Sequence, residues 1–193
     1  MRCDGSQPVR SSFMRIIAGM AKGRRLVKPA GLGTRPMTDR VREALFSSLG
    51  AAVEGAAVLD LYAGSGSVGL EALSRGASSA VFVERNRMAL DAIRRNVAAV
   101  RCGGSIVDGD VAAYLDGAGA RFDLVFVDPP YELAATAVAR VLGAVETRLE
   151  PGGIVVLHRR VGEGPEAVPA GLQLVDRRRY GDGELWRYVK EAT

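Results

Sequence analysis

Residues 57–69 read AVLDLYAGSGSVG and combine a short apolar run with three spaced glycines. The run Ala57–Leu61 is typical of a buried strand, and Gly64, Gly66 and Gly69 complete a GxGxxG pattern directly after it. Glycines at these spacings allow a tight turn and let a ligand approach the backbone. The stretch therefore predicts a strand–turn–helix unit that binds a nucleotide-like cofactor.

On either side of this stretch, apolar runs alternate with segments of helical periodicity. They predict strands over residues 80–83, 106–107, 124–127 and 154–157, and helices over residues 68–75, 86–100, 112–115 and 133–149. Two final strands, over residues 172–178 and 185–189, are expected to form a hairpin at Gly181-Asp182-Gly183. The predicted fold is α/β and Rossmann-like, a mostly parallel seven-stranded sheet with an antiparallel C-terminal hairpin.

Positive charge is concentrated at the start of the chain. Residues 1–50 carry ten Lys or Arg and three Asp or Glu, a net charge of +7, whereas the whole chain carries only +4. A basic appendage on a nearly neutral body indicates a polyanionic partner. We expect residues 1–13 to be a disordered or mis-annotated tail, residues 14–50 a basic extension that binds nucleic acid, and residues 51–193 the domain that binds the cofactor.

Within the basic extension, residues 16–17 and 26–27 predict two short strands and residues 31–36 a loop. Thr38 or Asp39 is expected to cap a helix that runs to Leu49, with Val41 and Leu45 on its inner face.

Composition excludes several classes of protein. The chain is 48% hydrophobic and 25% charged, as in an ordinary globular protein. Two cysteines and one histidine make neither a disulfide framework nor a zinc site. No apolar run approaches the ~18 residues of a membrane span. We therefore expect a cytoplasmic protein with no metal, no membrane association and no obligate protein partner.

Asp60 distinguishes between two kinds of cofactor. It lies four residues before Gly64, where a dinucleotide-binding strand usually has an apolar residue. A carboxylate there would repel a pyrophosphate, but it can accept hydrogen bonds from an ammonium group. This favours S-adenosylmethionine over a dinucleotide, with Tyr62, Ala63 and Ser65 completing the cofactor loop.

Two further strand ends supply candidate cofactor contacts. Glu84, followed by Arg85, ends the second strand, where a carboxylate can accept both ribose hydroxyls of either cofactor. Asp110 could accept from an adenine amino group, and the Val111 N–H could donate to the adenine ring. Asp-Gly-Asp is also a common turn, so the signal at Asp110 is weak alone.

The segment Asp128-Pro129-Pro130-Tyr131 follows the fourth strand and is the sharpest chemical signal. Two prolines fix the backbone, so the Asp128 carboxylate and a nearby carbonyl can accept two hydrogen bonds from one planar amine. Such acceptors favour a tetrahedral nitrogen whose lone pair can attack, while Tyr131 can stack on the base. The segment predicts a site for an exocyclic base amine.

Together these segments resemble S-adenosylmethionine-dependent amino-methyltransferases, and the chain from Met14 resembles the RsmD-type family, which methylates guanine N2 in bacterial 16S ribosomal RNA. The segments that carry the resemblance are Arg15–Gly19, Gly23–Leu26, Thr34–Phe46, Gly64–Gly76 and Asp128–Tyr131. The resemblance implies a class I methyltransferase fold, S-adenosylmethionine as methyl donor, and 16S rRNA within a small-subunit particle as substrate.

The expected substrate-binding residues all lie in the basic extension: Arg24, Arg25, Arg35, Thr38, Arg40 and Arg42. Two positions depart from the family. Met37 replaces a usual Thr, and His158 stands where an acid is common, which we interpret as a structural or surface histidine. Three alternatives remain open: a DNA adenine-N6 or cytosine-N4 methyltransferase, a non-catalytic RNA-binding module, and a nucleotide-dependent oxidoreductase.

Overall fold

The computed structural model describes residues 14–29 and 37–192. Residues 1–13, residues 30–36 and Thr193 lie outside the described residues, and with them the predicted loop over residues 31–36 and Arg35. The helices are α1 (Asp39–Leu49), a 3-10 turn (Gly50–Val53), α2 (Ser67–Ser74), α3 (Arg87–Val100), α4 (Val111–Asp116) and α5 (Ala135–Arg148). The strands are β1 (Ala57–Leu61), β2 (Ser79–Glu84), β3 (Ser105–Asp108), β4 (Phe122–Val127), β5 (Leu149–Arg160), β6 (Leu172–Tyr180) and β7 (Gly183–Lys190).

The seven strands form one sheet in the order β3-β2-β1-β4-β5-β7-β6. The first five strands pair in parallel, whereas β7 pairs antiparallel with β5 and with β6. The predicted fold class is confirmed, including the terminal hairpin, whose two-residue loop is Gly181-Asp182 between the paired residues Tyr180 and Gly183. The strand order reverses between β1 and β4, and ligands of such sheets bind beyond the strand ends at this point.

Side chains alternate between the two faces of the sheet, and each face packs against different helices. Val58, Phe82 and Phe126 face one side, where they form a core with α1, α2 and α3. Leu59, Val83 and other odd-numbered side chains face the other side, where they pack on α4 and α5. The period of two in buried strands thus sets which helix each residue contacts.

The basic extension shares the core of the sheet. Met14, Ile16, Leu26 and Met37 belong to the same buried cluster as Phe82. The described residues of the extension, including α1, therefore cover the same face of the sheet as α2 and α3.

Two predictions about local structure were wrong. The strands expected over residues 16–17 and 26–27 reduce to one antiparallel bridge between Arg15 and Arg25, because the N–H of Ile17 donates to Glu71 and that of Val27 donates to Asn96 instead of extending a ladder. The last parallel strand begins at Leu149 instead of residue 154. Its register against β4 shifts between Phe122 and Leu124, so that the Pro-Gly-Gly segment forms an irregularity within the strand instead of preceding it.

Candidate active site

A cavity of about 700 Å³ opens at the carboxyl ends of β1, β2 and β4. This volume lies within the range of small-molecule sites in proteins. The predicted cofactor and catalytic residues that line it are Asp60, Tyr62, Ala63, Gly64, Ser65, Glu84, Arg85, Asp110, Val111, Asp128, Pro129, Pro130 and Tyr131. The cofactor segments and the Asp-Pro-Pro-Tyr segment therefore border one continuous space.

Two glycines of the GxGxxG pattern, Gly66 and Gly69, are required for different steric reasons. Gly66, which was predicted to bind the cofactor, does not belong to the cavity lining. It has a φ of +74°, and a Cβ there would lie 2.6 Å from Ile93 Cγ1, so Gly66 supports the loop from behind the cavity. Gly69 lies in α2, where a Cβ would lie 2.4 Å from Phe82 Cε1. The missing side chain at Gly69 lets α2 approach the sheet closely.

Asp60 lies buried at the base of the cavity, with a relative exposure of 3%. Its Oδ2 accepts a hydrogen bond from the backbone N–H of Gly69 at 2.9 Å. Burial is the main cause that raises the pKa of Asp60 to about 8; the Gly69 hydrogen bond opposes this net shift, and the nearby charges of Asp128 and Glu84 add to it. A cation bound beside Asp60 would compensate the cost of ionising this carboxyl.

Glu84 ties the glycine loop to the end of β2. Its Oε2 accepts from the Gly64 N–H at 2.9 Å, and its Oε1 accepts from the N–H groups of Arg85 at 2.9 Å and Asn86 at 2.7 Å. Asn86 caps α3. The carboxylate thus holds a fixed orientation at the cavity wall.

Asp110 is the N-cap of α4. Its Oδ1 accepts from the N–H groups of Ala112 at 2.9 Å and Ala113 at 3.3 Å, and its Oδ2 accepts from Arg85 Nη1 at 3.0 Å. Helix capping is a sufficient reason for an aspartate here. The predicted contact with adenine stays a prediction.

Asp128 contacts a residue that sequence reasoning treated as structural or exposed. Its Oδ1 lies 2.8 Å from His158 Nδ1. His158 has a relative exposure of 6%, so of the two interpretations, structural or surface, the surface one is wrong. The alternation of side chains along β5 could have predicted that His158 is buried, because Val156, two residues earlier on the same face, belongs to the core.

The backbone after Asp128 is held by Arg159, which sequence reasoning also missed. The Arg159 guanidinium donates to the carbonyl oxygens of Pro130 at 2.8 Å, Tyr131 at 3.2 Å and Leu133 at 2.8 Å. Arg160, next on β5, lies over the Tyr131 ring at 4.5 Å from its centroid. The end of β5 therefore contacts the carboxylate, the backbone and the ring of the Asp-Pro-Pro-Tyr segment.

The extension contributes Lys28, Pro29 and Met37 to the cavity wall. Of the described residues predicted to bind substrate, Arg24, Arg25, Thr38 and Arg40 are exposed but lie outside the cavity lining. Thr38 caps α1 by accepting from the Val41 N–H at 3.3 Å.

Arg42 does not lie on the predicted RNA-binding surface. Its side chain is fully buried, where it donates to the Arg15 carbonyl oxygen and to Asp39. Arg42 belongs to the inner face of α1 because it lies three residues before Leu45 and seven before Leu49. We therefore remove it from the candidate phosphate contacts.

Two buried polar residues anchor the extension. Glu71 on α2 accepts from the N–H groups of Ile17 at 2.7 Å and Ala18 at 3.0 Å. Asn96 on α3 accepts from the Val27 N–H at 2.7 Å and donates to the Ser65 carbonyl oxygen at 2.8 Å. Asn96 thus connects the segment before Lys28 to the glycine loop, although an asparagine at helical spacing gives little signal of this in the sequence.

The described residues lack the features of two other classes of site. No described helix has the length and apolarity needed to cross a bilayer. The described part of the chain also holds no group of three or more His, Cys, Asp or Glu side chains suited to a metal ion.

Comparisons with known proteins show the family of this chain. A family described as "Conserved hypothetical protein 95" matches residues 14–189. Ribosomal RNA small subunit methyltransferase D of Escherichia coli K12 is 34% identical over 183 residues, which cover 94% of this chain and 92% of that protein. The same-named protein of Haemophilus influenzae is 33% identical over 150 residues, which cover 75% of this chain and 78% of that one.

A solved structure, that of a hypothetical protein from Thermus thermophilus, superimposes with a TM-score of 0.76 and 35% identity, covering 92% of this chain and 98% of the other. These matches confirm the resemblance noted from the sequence. The chain therefore belongs to the conserved hypothetical protein 95 family, the family of ribosomal RNA small subunit methyltransferase D.

Proposed function

We propose that this protein transfers a methyl group from S-adenosylmethionine to the exocyclic N2 amine of a guanine in small-subunit ribosomal RNA. The observation that carries the proposal is the shared cavity, whose lining includes Asp60, Glu84 and Asp128. The names of the Escherichia coli and Haemophilus influenzae relatives support ribosomal RNA as the substrate class.

The donor set around Asp60 fits S-adenosylmethionine. The buried Asp60 carboxyl, whose pKa is raised to about 8, would gain most from a positively charged partner such as the ammonium group of the methionine moiety. Glu84 presents its carboxylate at the end of β2, where ribose hydroxyls can donate to it. Val111 and Leu115 offer apolar surface for the adenine ring.

Asp128 would hold the reacting amine. An amine of guanine is a weak nucleophile because its lone pair is delocalised into the ring, and an acceptor that fixes its N–H bonds frees that lone pair. When bound, S-adenosylmethionine would supply an electrophilic methyl carbon and, in its sulfur, the leaving group that would keep the S–C bond pair. The nitrogen then loses one proton, which the Asp128 carboxylate or water accepts. Alignment of nitrogen, methyl and sulfur by the protein can lower the barrier of such a direct transfer by ~7–11 kcal/mol.

The extension would bind the RNA around the target base. Lys28 lies at the cavity wall, and the exposed Arg24, Arg25 and Arg40 lie in the same extension. Arginine binds phosphate bidentately and stacks on bases, so these side chains suit a structured RNA. Tyr131 would stack on the flipped guanine.

Methyl transfer from labelled S-adenosylmethionine tests the proposal. We expect label to enter small-subunit particles or their RNA, from a strain that lacks the corresponding methyltransferase gene, and not duplex DNA. The Asp128→Asn variant should lose at least about a hundredfold in kcat. The exposed Asp91 on α3 provides a matched control, because Asp91→Asn leaves the cavity unchanged. Label in DNA alone, or full activity of Asp128→Asn, would contradict the proposal.

A further inference from the structure

We propose that His158 is a positioning residue that orients the Asp128 carboxylate toward the substrate amine and tunes its strength as an acceptor. The inference rests on the proposed methyl transfer at Asp128. It goes further because it assigns a role to a histidine outside the Asp-Pro-Pro-Tyr segment.

The register of the sheet brings the two residues together. Val127 pairs with Leu157 across the parallel strands β4 and β5, so the residues that follow, Asp128 and His158, are neighbours on one face of the sheet. Their facing atoms, Oδ1 of Asp128 and Nδ1 of His158, lie 2.8 Å apart. An ionised carboxylate only accepts hydrogen bonds, so the proton of this bond lies on Nδ1.

The imidazole is held in place by its other neighbours. A Cβ on Gly183 would lie 2.6 Å from His158 Nε2, so the absence of a side chain on β7 makes room for the ring. The ring edge faces Tyr131, with centroids 6.5 Å apart. His158 is therefore fixed on two sides, and its Nδ1 fixes one oxygen of Asp128. The second oxygen can then accept from the substrate amine.

The charged groups around His158 determine its protonation. Burial lowers the pKa of His158, but Asp128 raises it through its charge and its hydrogen bond, and the net shift is upward from the ordinary value of 6.5. Asp182 in the hairpin turn also raises the pKa, whereas Arg159 on the same strand lowers it. A cationic His158, with protons on both ring nitrogens, withdraws electron density from Asp128. Loss of the Nε2 proton makes the carboxylate a stronger acceptor for the amine.

His158 is the only histidine in the sequence, so isotope-labelled imidazole gives a single titration by NMR. We expect a pKa above 6.5 in the wild type and a lower pKa in Asp128→Asn, which removes the carboxylate charge beside the ring. Superimposable titrations of the two proteins would overturn the proposal.

The pH dependence of kcat separates positioning from a structural role. We expect wild-type kcat to rise through the pKa of His158. His158→Asn, which keeps a donor near the Nδ1 position but does not titrate, should retain most of the plateau kcat and lose this rise. His158→Leu should lose about tenfold or more in kcat with KM for S-adenosylmethionine nearly unchanged.

Three outcomes distinguish the hypotheses. A pH profile of the wild-type shape in His158→Asn contradicts the positioning role. If His158→Asn and His158→Leu lose kcat equally and both have a lower Tm, the losses reflect destabilisation, which also contradicts the positioning role. The His158 pKa could differ between wild type and Asp128→Asn while the wild-type protein transfers no methyl group. That result would contradict the proposed function, and with it the catalytic role of the Asp128–His158 pair.

Discussion

The Arg159 guanidinium donates a hydrogen bond to the Pro130 carbonyl oxygen at 2.8 Å, from a position on β5 that is only 3% exposed. The same guanidinium binds the carbonyl oxygens of Tyr131 and Leu133. Proline has no N–H to join a ladder, so a Pro-Pro segment depends on other donors for its fixed position. Arg159 supplies these donors from the neighbouring strand.

Replacing Arg159 by methionine tests this contact. The carbonyl oxygens of Pro130, Tyr131 and Leu133 lose a charged donor, as does that of Glu163, so we expect the free energy of unfolding to fall by about 2–4 kcal/mol and kcat by about tenfold or more. Affinity for S-adenosylmethionine should change less, because Asp60 and Glu84 keep their contacts. Thermal melts and steady-state kinetics measure both effects, with the exposed Arg95→Met on α3 as control. Full kcat in Arg159→Met would show that the loop keeps its geometry without the guanidinium.

Close packing at Gly69 predicts a contrast between two glycines in helices. Gly69→Ala places a methyl group against Phe82 and Asp60, so we expect a loss of about 1–3 kcal/mol and weaker binding of S-adenosylmethionine. Gly143 on α5 has nothing within 4 Å of a Cβ, so Gly143→Ala should stabilise the protein by about 0.5–1 kcal/mol. Calorimetry with and without the cofactor measures both. Equal effects of the two substitutions would contradict this account of the packing.

The raised pKa of Asp60 predicts a pH-dependent stability. A protonated Asp60 favours the folded state, and this contribution is present below the ordinary value of 3.8 and is lost as pH rises through about 8. Relative to Asp60→Asn, the wild type should therefore lose up to about 1.4 kcal/mol of stability per pH unit between pH 5 and 8. Melting curves across this range, in the absence of ligand, measure the difference. If the difference in Tm between the wild type and Asp60→Asn is the same at all pH values, the prediction of a raised pKa for Asp60 is contradicted.

Although Arg40 and Arg42 are only two residues apart, we expect their substitution to affect different properties, RNA binding for Arg40 and stability for Arg42. Arg40→Gln should change the free energy of unfolding by no more than about 0.5 kcal/mol. It should reduce the slope of log K for RNA binding against log salt concentration by about one, the value for one phosphate contact. Arg42→Gln should destabilise the protein by about 3–5 kcal/mol, because Asp39 and the buried Glu71 lose a cationic partner. Binding titrations at several salt concentrations, paired with melts, separate the two. An unchanged salt slope in Arg40→Gln would remove Arg40 from the RNA contacts.

The arrangement of the sheet could be predicted because apolar runs and helical periodicity are local signals. Three acidic residues lie at or near the carboxyl ends of parallel strands: Asp60 within β1, Glu84 at the end of β2 and Asp128 directly after β4. The sheet topology therefore brings them together at one cavity. Element ends were less predictable. The strand that begins at Leu149 contains Pro151 and two glycines, residues that ordinarily indicate a turn.

Buried charge explains most of what the sequence could not predict. Arg42 and Arg159 lie on the periodic inner faces of α1 and β5, but their charge indicated an exposed surface. Each is buried because carbonyl or carboxylate oxygens from distant segments meet it, and those partners are set by tertiary structure. His158 is similar, since its partner Asp128 lies 30 residues earlier.

Mass spectrometry of nucleosides from the methylated RNA tests the central claim most directly. After incubation with wild-type protein, a digest of the small-subunit RNA should contain one additional N2-methylguanosine, which is absent from the Asp128→Asn reaction. A methyl group on an adenine, a cytosine or a guanine ring nitrogen, or no methylated nucleoside, would contradict the assignment of Asp128 to the guanine amine.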